Sequence, residues 1–248
     1  MANVLLEIGC GSLEDAIAAE AGGADRVELC SALFLGGLTP SLASVLRAKE
    51  KLRIPVMAMV RPRAAGFCYS ATDMEVMLCD TDLFVEHGAD GIVFGILKPD
   101  RAIDLERCRR IRERIGSCQA VFHRAFDVVP DPMRALDELI DLGCTRVLTS
   151  GQRNTALEGS ALIRKLVEHA RGRVEILPGA GIRTHNVREL IAQTGCTQVH
   201  TTAFRQLDDP STVASRIQYG STLNPSESAY HQTDSSEVRR LGQALDAI

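Results

Sequence analysis

The stretch Gly23-Ala24-Asp25-Arg26-Val27-Glu28-Leu29 decides how this chain is read, because it returns three times. Its echoes are Gly88-Ala89-Asp90-Gly91-Ile92-Val93-Phe94, Gly143-Cys144-Thr145-Arg146-Val147-Leu148-Thr149 and Gly195-Cys196-Thr197-Gln198-Val199-His200-Thr201. Each copy follows an amphipathic helical pattern and opens on a glycine suited to the left-handed position past a helix end. Each then runs into a short β-branched stretch that reads as a buried strand. The copies start 65, 55 and 52 residues apart, about twice the roughly 30 residues of one strand–helix unit. Room for one more strand and two helices therefore lies between consecutive copies. Repeated strand and helix predict a parallel α/β sheet, and at this length a closed TIM (β/α)₈ barrel, one domain spanning residues 1–248.

The remaining strands fall where that spacing requires them: Val4–Ile8, Val56–Val60 after Pro55, Ala120–His123 and Val174–Leu177. Ser12 is placed to cap a helix from Leu13 to Gly22, and Pro132 to open one running to Gly143. In Gly36-Gly37-Leu38-Thr39-Pro40-Ser41, Thr39 is expected to cap the second helix, with Pro40 in its first turn. Thr184 is expected to cap the helix after the seventh strand. Val238, Leu241, Leu245 and Ile248 recur at helical spacing and predict a last helix. Residues Ser215 to Thr233 lack a period and read as a long loop. No linker or second domain is evident.

With 248 residues the chain can bury roughly three quarters of its unfolded surface, so the barrel needs no staples. Its 4% aromatic content, without Trp, suits a core of aliphatic layers. A net charge of −4 gives no electrostatic reason to bind nucleic acid or an anionic membrane. No apolar run reaches the roughly 18 residues of a membrane span. Eight cysteines without paired spacing or a secretion signal predict reduced thiols in the cytoplasm; Cys108, Cys118, Cys144 and Cys196 read as small core fillers.

Function in such a barrel belongs at the carboxyl ends of the strands. Those ends carry Glu7, Glu28, Arg61, His123, Thr149-Ser150 and His200-Thr201. Period-two alternation sets Glu7, Arg61 and His123 each on the face that ends its strand. If those faces point inward, charges converge on one mouth at a cost that only mutual pairing or a ligand offsets. A satisfied ion network closing the barrel is the bland alternative. His123 precedes Arg124 and stands four residues before Asp127, so a carboxylate to hold its tautomer and a guanidinium to lower its pKa are both at hand. Gly179 and Gly181 follow strand 7, where barrels often cradle phosphate on backbone N–H groups; the same glycines would also serve a tight turn. Cys10 and Cys30, past Glu7 and Glu28 on neighbouring strands, would offer two thiolates to a soft ion such as Cu(I), with Met57 and Met59 as thioethers.

Several of these stretches resemble the CutC copper homeostasis family. They are Glu28-Leu29-Cys30, the Gly36–Ser41 segment, Arg61-Pro62-Arg63, Phe67-Cys68-Tyr69-Ser70, Phe122-His123-Arg124-Ala125-Phe126-Asp127 and Leu148-Thr149-Ser150-Gly151. The resemblance covers essentially the whole chain. It implies a cytoplasmic TIM barrel, a homodimer or larger homo-oligomer, linked to copper tolerance, with Cys30 and a strand 1 cysteine as Cu(I) ligands. Two departures stand out. The family carries Cys where this chain has Gly9, with its thiol one residue later at Cys10, and Gly-Gly-Asp where it has Ala64-Ala65-Gly66. A one-residue shift in an extended segment turns a side chain to the other face. Two functions stay open: a Cu(I)-binding homeostasis protein using Cys30 and Cys10, or an enzyme acting on a small anionic or phosphorylated metabolite through Glu7, Glu28, Arg61, His123 and Asp127.

Overall fold

The computed structural model describes residues 4–212, 217 and 227–247. Strands β1 (Leu5–Cys10), β2 (Arg26–Leu29), β3 (Val56–Met59), β4 (Gly91–Phe94), β5 (Gln119–Phe122), β6 (Arg146–Thr149), β7 (Glu175–Pro178) and β8 (Gln198–Thr201) alternate with helices α1 (Leu13–Gly22), α2 (Leu42–Lys51), α3 (Ala71–Glu86), α4 (Leu105–Ile115), α5 (Pro132–Leu142), α6 (Ser160–Ala170) and α7 (Val187–Thr194), and α8 (Ser235–Asp246) ends the order. The strands pair in parallel in the order β7-β6-β5-β4-β3-β2-β1-β8. A parallel bridge between Gly179 and His200 brings β8 round beside the end of β7. The chain is thus the eight-stranded α/β barrel that the fourfold phrase predicts.

The phrase supplies every even-numbered strand, and period-two geometry sorts its residues. Val27, Leu29, Ile92, Phe94, Val147 and Val199 face outward into the layer shared with the helices. Inside, Cys30, Met57, Met59, Val93 and Val121 form a second, smaller cluster. The residue opening each even strand is Arg26, Gly91, Arg146 or Gln198, and these make one interior layer, as alternate strands do in such barrels. Arg26 Nη2 and Arg146 Nε both donate to Gln198 Oε1, at 2.7 and 3.0 Å. Gly91 makes room for the rest: a Cβ there would sit 2.6 Å from Met57 Sδ. One floor up, Glu7 is ion-paired with Arg26.

Caps and loops differ from the sequence expectation in three places. Ser41, not Thr39, caps α2, accepting from Ser44 N at 3.1 Å, because the Thr39 hydroxyl accepts instead from Arg61 N at 2.9 Å. Asn186 stands at the start of α7, while Thr184 reaches away to donate to Glu237 at 2.9 Å. The end of the expected long loop is a strand, β10 (Ala229–Thr233), antiparallel to β9 (Phe204–Asp208); residues 215–216 and 218–226 of that stretch lie outside the described residues. Ile248, assigned to the last helix, lies outside them too. Among the described residues no helix is long and apolar enough to cross a membrane.

Removing one partner of a buried ion pair strands the other charge, typically costing about 3–5 kcal/mol. Arg26→Met should lower unfolding free energy by about that much, measured by urea denaturation at pH 7. A cycle with Glu7→Gln should show the double variant more stable than the sum of the single losses predicts; additive losses would deny the coupling.

Candidate functional site

The carboxyl ends of the strands surround a cavity of about 640 Å³. Glu28, Arg61, His123, Asp127, Gly181 and His200 stand on its wall together with Arg124, Arg183 and Phe67. The structure therefore gathers most of the residues expected at the mouth. Glu7 lies just below, 2% exposed.

Glu7, His200 and Glu28 form a chain. His200 Nδ1 lies 2.7 Å from Glu7 Oε1, and Nε2 lies 3.9 Å from Glu28 Oε2. Gly9 provides the space, since a Cβ there would come within 3.2 Å of His200 Nε2. Burial works to raise the Glu7 pKa, but the hydrogen bond with His200 and the charges of Arg26 and Arg146 outweigh it and hold the carboxyl below its ordinary range. Burial also opposes protonation of His200, yet Glu28 and Glu7 together raise its pKa. Glu28 goes the opposite way to Glu7: burial dominates and pushes its pKa up. Two carboxylates therefore sit either side of one imidazole with their affinities for protons driven apart.

His123 has different surroundings from those expected. Asp127 does not hold its ring. The segment Arg124–Val128 is a 3₁₀ helix that His123 itself caps, so Asp127 turns toward β6 instead. There it accepts from Thr149 Oγ1 at 2.5 Å, Ser150 N at 2.9 Å and Arg124 Nε at 2.7 Å. The His123 Nδ1 accepts from Ala125 N at 3.1 Å. Its Nε2 is buried and has no hydrogen-bond partner among the described residues. Phe67 packs on the ring at 4.9 Å, and Gly95 underlies it, where a Cβ would lie only 2.5 Å from Nδ1. Burial, then the Arg61 charge, holds the His123 pKa down to about 3; the cation responsible is Arg61 rather than Arg124.

Arg61 is cradled by carbonyls. Nη1 donates to Leu35 O and Gly37 O at 2.9 Å each, and Nη2 to Ala65 O at 2.8 Å. Gly36 and Gly37, with φ of +84° and +82°, turn those carbonyls inward, so the Gly-Gly segment serves the site as well as the loop. Ala65 holds φ of +68°, a left-handed conformation that a glycine adopts more easily. Among the described residues Arg61 has no carboxylate in ion-pairing reach, and its buried Nε has no partner.

The glycines after β7 divide. Gly181 is on the cavity wall, with φ of +69° and Thr155 Cγ2 only 2.8 Å from its would-be Cβ. Gly179 is required by packing, since a Cβ would lie 2.7 Å from Leu148 Cδ1. Arg183, which the sequence reading passed over, stands between these loops and donates to Thr201 Oγ1 at 3.2 Å.

The two thiols part company. Cys10 packs outward with Leu6 and Ile8, its Sγ 3.5 Å from Ile8 O. Cys30 faces the interior with Met57 and Met59, its Sγ 3.5 Å from Glu28 Oε2. Burial, then nearby carboxylates, pushes both thiol pKa values well up. Among the described residues the cluster of three potential ligands is Glu7, Glu28 and His200, with ligand atoms within 4.8 Å of one another. Those are hard and borderline donors unsuited to Cu(I), and Glu7 is already bound to Arg26.

Fold and mouth together define a (β/α)₈ barrel with a ligand cavity at the strand ends. The CutC family profile matches residues 4–205. A family protein CutC of Treponema denticola is 52% identical, covering 100% of this chain and 99% of the relative. The human copper homeostasis protein cutC homolog is 43% identical over 96% of this chain and 87% of its own length. The crystal structure of a putative copper homeostasis protein CutC from Streptococcus agalactiae superposes with a TM-score of 0.77 at 35% identity, covering 80% of this chain and 98% of that one. The chain belongs to the CutC family. Phosphoribosylanthranilate isomerase of Thermotoga maritima, at a TM-score of 0.56 and 14% identity, shares the fold alone.

The two histidines carry opposite signs in the pH dependence of stability. The unfolded state protonates His123 near its ordinary 6.5 while the folded state resists to about 3; stability from this group is full above 6.5 and falls as pH drops toward 3. His200, with its pKa raised, acts in reverse, its contribution present below 6.5 and lost as pH rises through the folded value. His123→Gln should flatten the loss of stability between pH 6.5 and 4 by up to roughly 1 kcal/mol per pH unit. Urea midpoints for both proteins across that range measure it; parallel curves would contradict the assignment.

Proposed function

We propose that the protein is an enzyme that binds a small anionic metabolite at the barrel mouth and moves a proton on it. The observation that carries this reading is Arg61: a buried guanidinium, 6% exposed, with no carboxylate partner among the described residues and an unpartnered Nε on the wall of a cavity. A buried cation met by carbonyl dipoles, the Phe67 ring and the Tyr69 hydroxyl lacks, among the described residues, the anion that would offset its desolvation. A bound phosphate or carboxylate supplies that anion, with Arg183 and the Gly181 loop beside it. The Glu28–His200–Glu7 chain provides the proton-transfer groups, since a carboxyl with raised pKa next to an imidazolium suits general acid–base work. Eight unpaired thiols support a reducing, cytoplasmic setting; a homodimer rests on the family resemblance.

Inorganic phosphate should bind the purified protein with a stoichiometry of one in isothermal titration. Arg61→Met should weaken it by about tenfold or more, the worth of a charge-assisted hydrogen bond, with circular dichroism as the control for folding. Absence of any anion binding to the native protein would end this reading.

A second reading takes copper from the names of the relatives. It is favoured by Cys30, Met57 and Met59 sharing the barrel interior, a soft donor set of the kind Cu(I) prefers. Cys10 is not part of that set. In a Cu(I) competition titration, Cys30→Ser should therefore lose affinity and Cys10→Ser should keep it. Gly9→Cys, which restores the family's thiol on the interior face, should raise affinity by tenfold or more; equal affinities in all four proteins would remove copper from this site.

A further inference from the structure

The hydrogen-bonding of His123 fixes more than its position. A neutral imidazole carries one proton, and Nδ1 is committed as an acceptor to Ala125 N at 3.1 Å. The proton is therefore on Nε2. That atom is buried, has no partner and belongs to a residue on the cavity wall. The ring has little freedom to turn, with Phe67 over one face and the Gly95 backbone under it. Its backbone is pinned as well, His123 N donating to Phe94 O at 2.9 Å. The result is a rigid N–H donor, without a partner among the described residues, on a residue that lines the cavity at the N-terminus of the 3₁₀ helix Arg124–Val128.

Resting on the anion-binding reading above, we propose that the His123 Nε2–H is an oxyanion donor, and that the substrate is a small anionic carbonyl compound with a hydrogen on the carbon next to the carbonyl. A fixed neutral donor is poorly suited to shuttle a proton, because taking a second one would require an imidazolium beside Arg61. It is well suited to polarise a carbonyl and to hold the oxygen once charge has moved there. Burial and the Arg61 charge keep it neutral, the same logic by which triosephosphate isomerase uses a neutral histidine. The Glu28–His200 pair on the same cavity wall supplies the base.

The step balances within these groups. The Glu28 carboxylate takes the proton from the α-carbon, the C–H electron pair becomes the new C=C bond, and the carbonyl π pair moves onto oxygen. The His123 Nε2–H and the Arg61 Nε–H donate to that oxyanion. Return of the proton to the same carbon gives exchange with solvent; where that carbon carries a hydroxyl, transfer of the hydroxyl proton to the oxyanion and return of the abstracted proton to the former carbonyl carbon, with the hydroxyl oxygen becoming the new carbonyl, gives an isomer. Neither outcome needs an oxidant, a reductant or a cofactor.

Three measurements test this. Nitrogen-15 NMR of histidine-labelled protein at pH 7, assigned with His123→Gln, should show His123 as the neutral Nε2–H tautomer; a Nδ1–H tautomer or an imidazolium overturns the proposal. Oxalate, a planar mimic of an enolate, should bind more tightly than inorganic phosphate. His123→Phe should cost oxalate about tenfold or more with phosphate unchanged, and His123→Gln, which keeps a neutral donor, should recover most of it. Phosphate binding with oxalate indifferent to His123→Phe overturns the donor while leaving the anion site standing, whereas failure of both probes takes down both. Finally, the native protein in D₂O should exchange carbon-bound hydrogen in at least one of dihydroxyacetone phosphate, ribulose 5-phosphate and pyruvate, followed by proton NMR. Exchange in none of the three overturns enolisation.

Discussion

Arg26 and Arg146 sit inside the barrel, 5% and 3% exposed, and the rest of the mouth depends on how their charge is met. Buried guanidinium groups need anionic or strongly polar partners. Gln198 bridges the two, Glu175 pairs with Arg146 from the rim, and Glu7 pairs with Arg26 from above. The His200 hydrogen bond and that pairing together hold the Glu7 pKa down, and Glu7 in turn anchors His200 by its Nδ1 and presents Nε2 toward Glu28. The polarity of the site is thus set from the floor of the barrel upward, through a single column of contacts. Side chains on the floor do not line the cavity, yet their charge helps to drive apart the proton affinities of the two carboxylates above.

The fold was legible because the phrase beginning at Gly23 marks every even strand, and its spacing leaves one place for each odd one. The interior layer was written in the same phrase, at its fourth position, as Arg26, Gly91, Arg146 and Gln198. The sequence reading took the phrase for strand identity and overlooked what that shared position implies inside a closed barrel. Caps were less legible because Thr39 and Ser41 are chemically equivalent candidates two residues apart. Only the distant Arg61 N–H, which takes the Thr39 hydroxyl, decides between them. Thr184 met the same fate through Glu237, across a separation no local pattern reveals. The β9–β10 hairpin was hidden by polar composition: both strands are largely exposed, and their inward residue Thr233 is recognised only by its hydrogen bond from N to Asp15 Oδ1 at 2.6 Å.

At the site, residue identities were easier to find than their partners. Arg61 and His123 reach one cavity as period-two alternation suggests, and Glu28 and Gly181 join them there from the end of β2 and the loop after β7. The short spacing between His123 and Asp127 suggested a carboxylate to hold the ring, but a 3₁₀ turn begins at once and sends Asp127 to Thr149 and Ser150. The thiols illustrate the same limit. Alternation along β1 puts Glu7 and Gly9 inward and Ile8 and Cys10 outward, so the displaced cysteine follows the local rule and leaves the interior. What Gly9 gives in exchange is room for the His200 imidazole, a contact between the first and last strands of the barrel that sequence order conceals.

The two mouth histidines are what favours the proposal of chemistry over closure. A lid of mutual ion pairs would leave its charges neutralised in pairs and its donors satisfied. Here one imidazole lies between two carboxylates, which favour its proton, and the other lies beside an unpaired guanidinium, which forbids a second one. Environments that push like groups apart in this way are how a barrel assigns separate acid, base and donor roles to residues of the same type. The arrangement costs stability, since Arg61 Nε and His123 Nε2 are both buried without partners. A chain that needed only to plug its barrel would gain by replacing both with leucine, so the persistent deficit is best accounted for by a ligand that completes them.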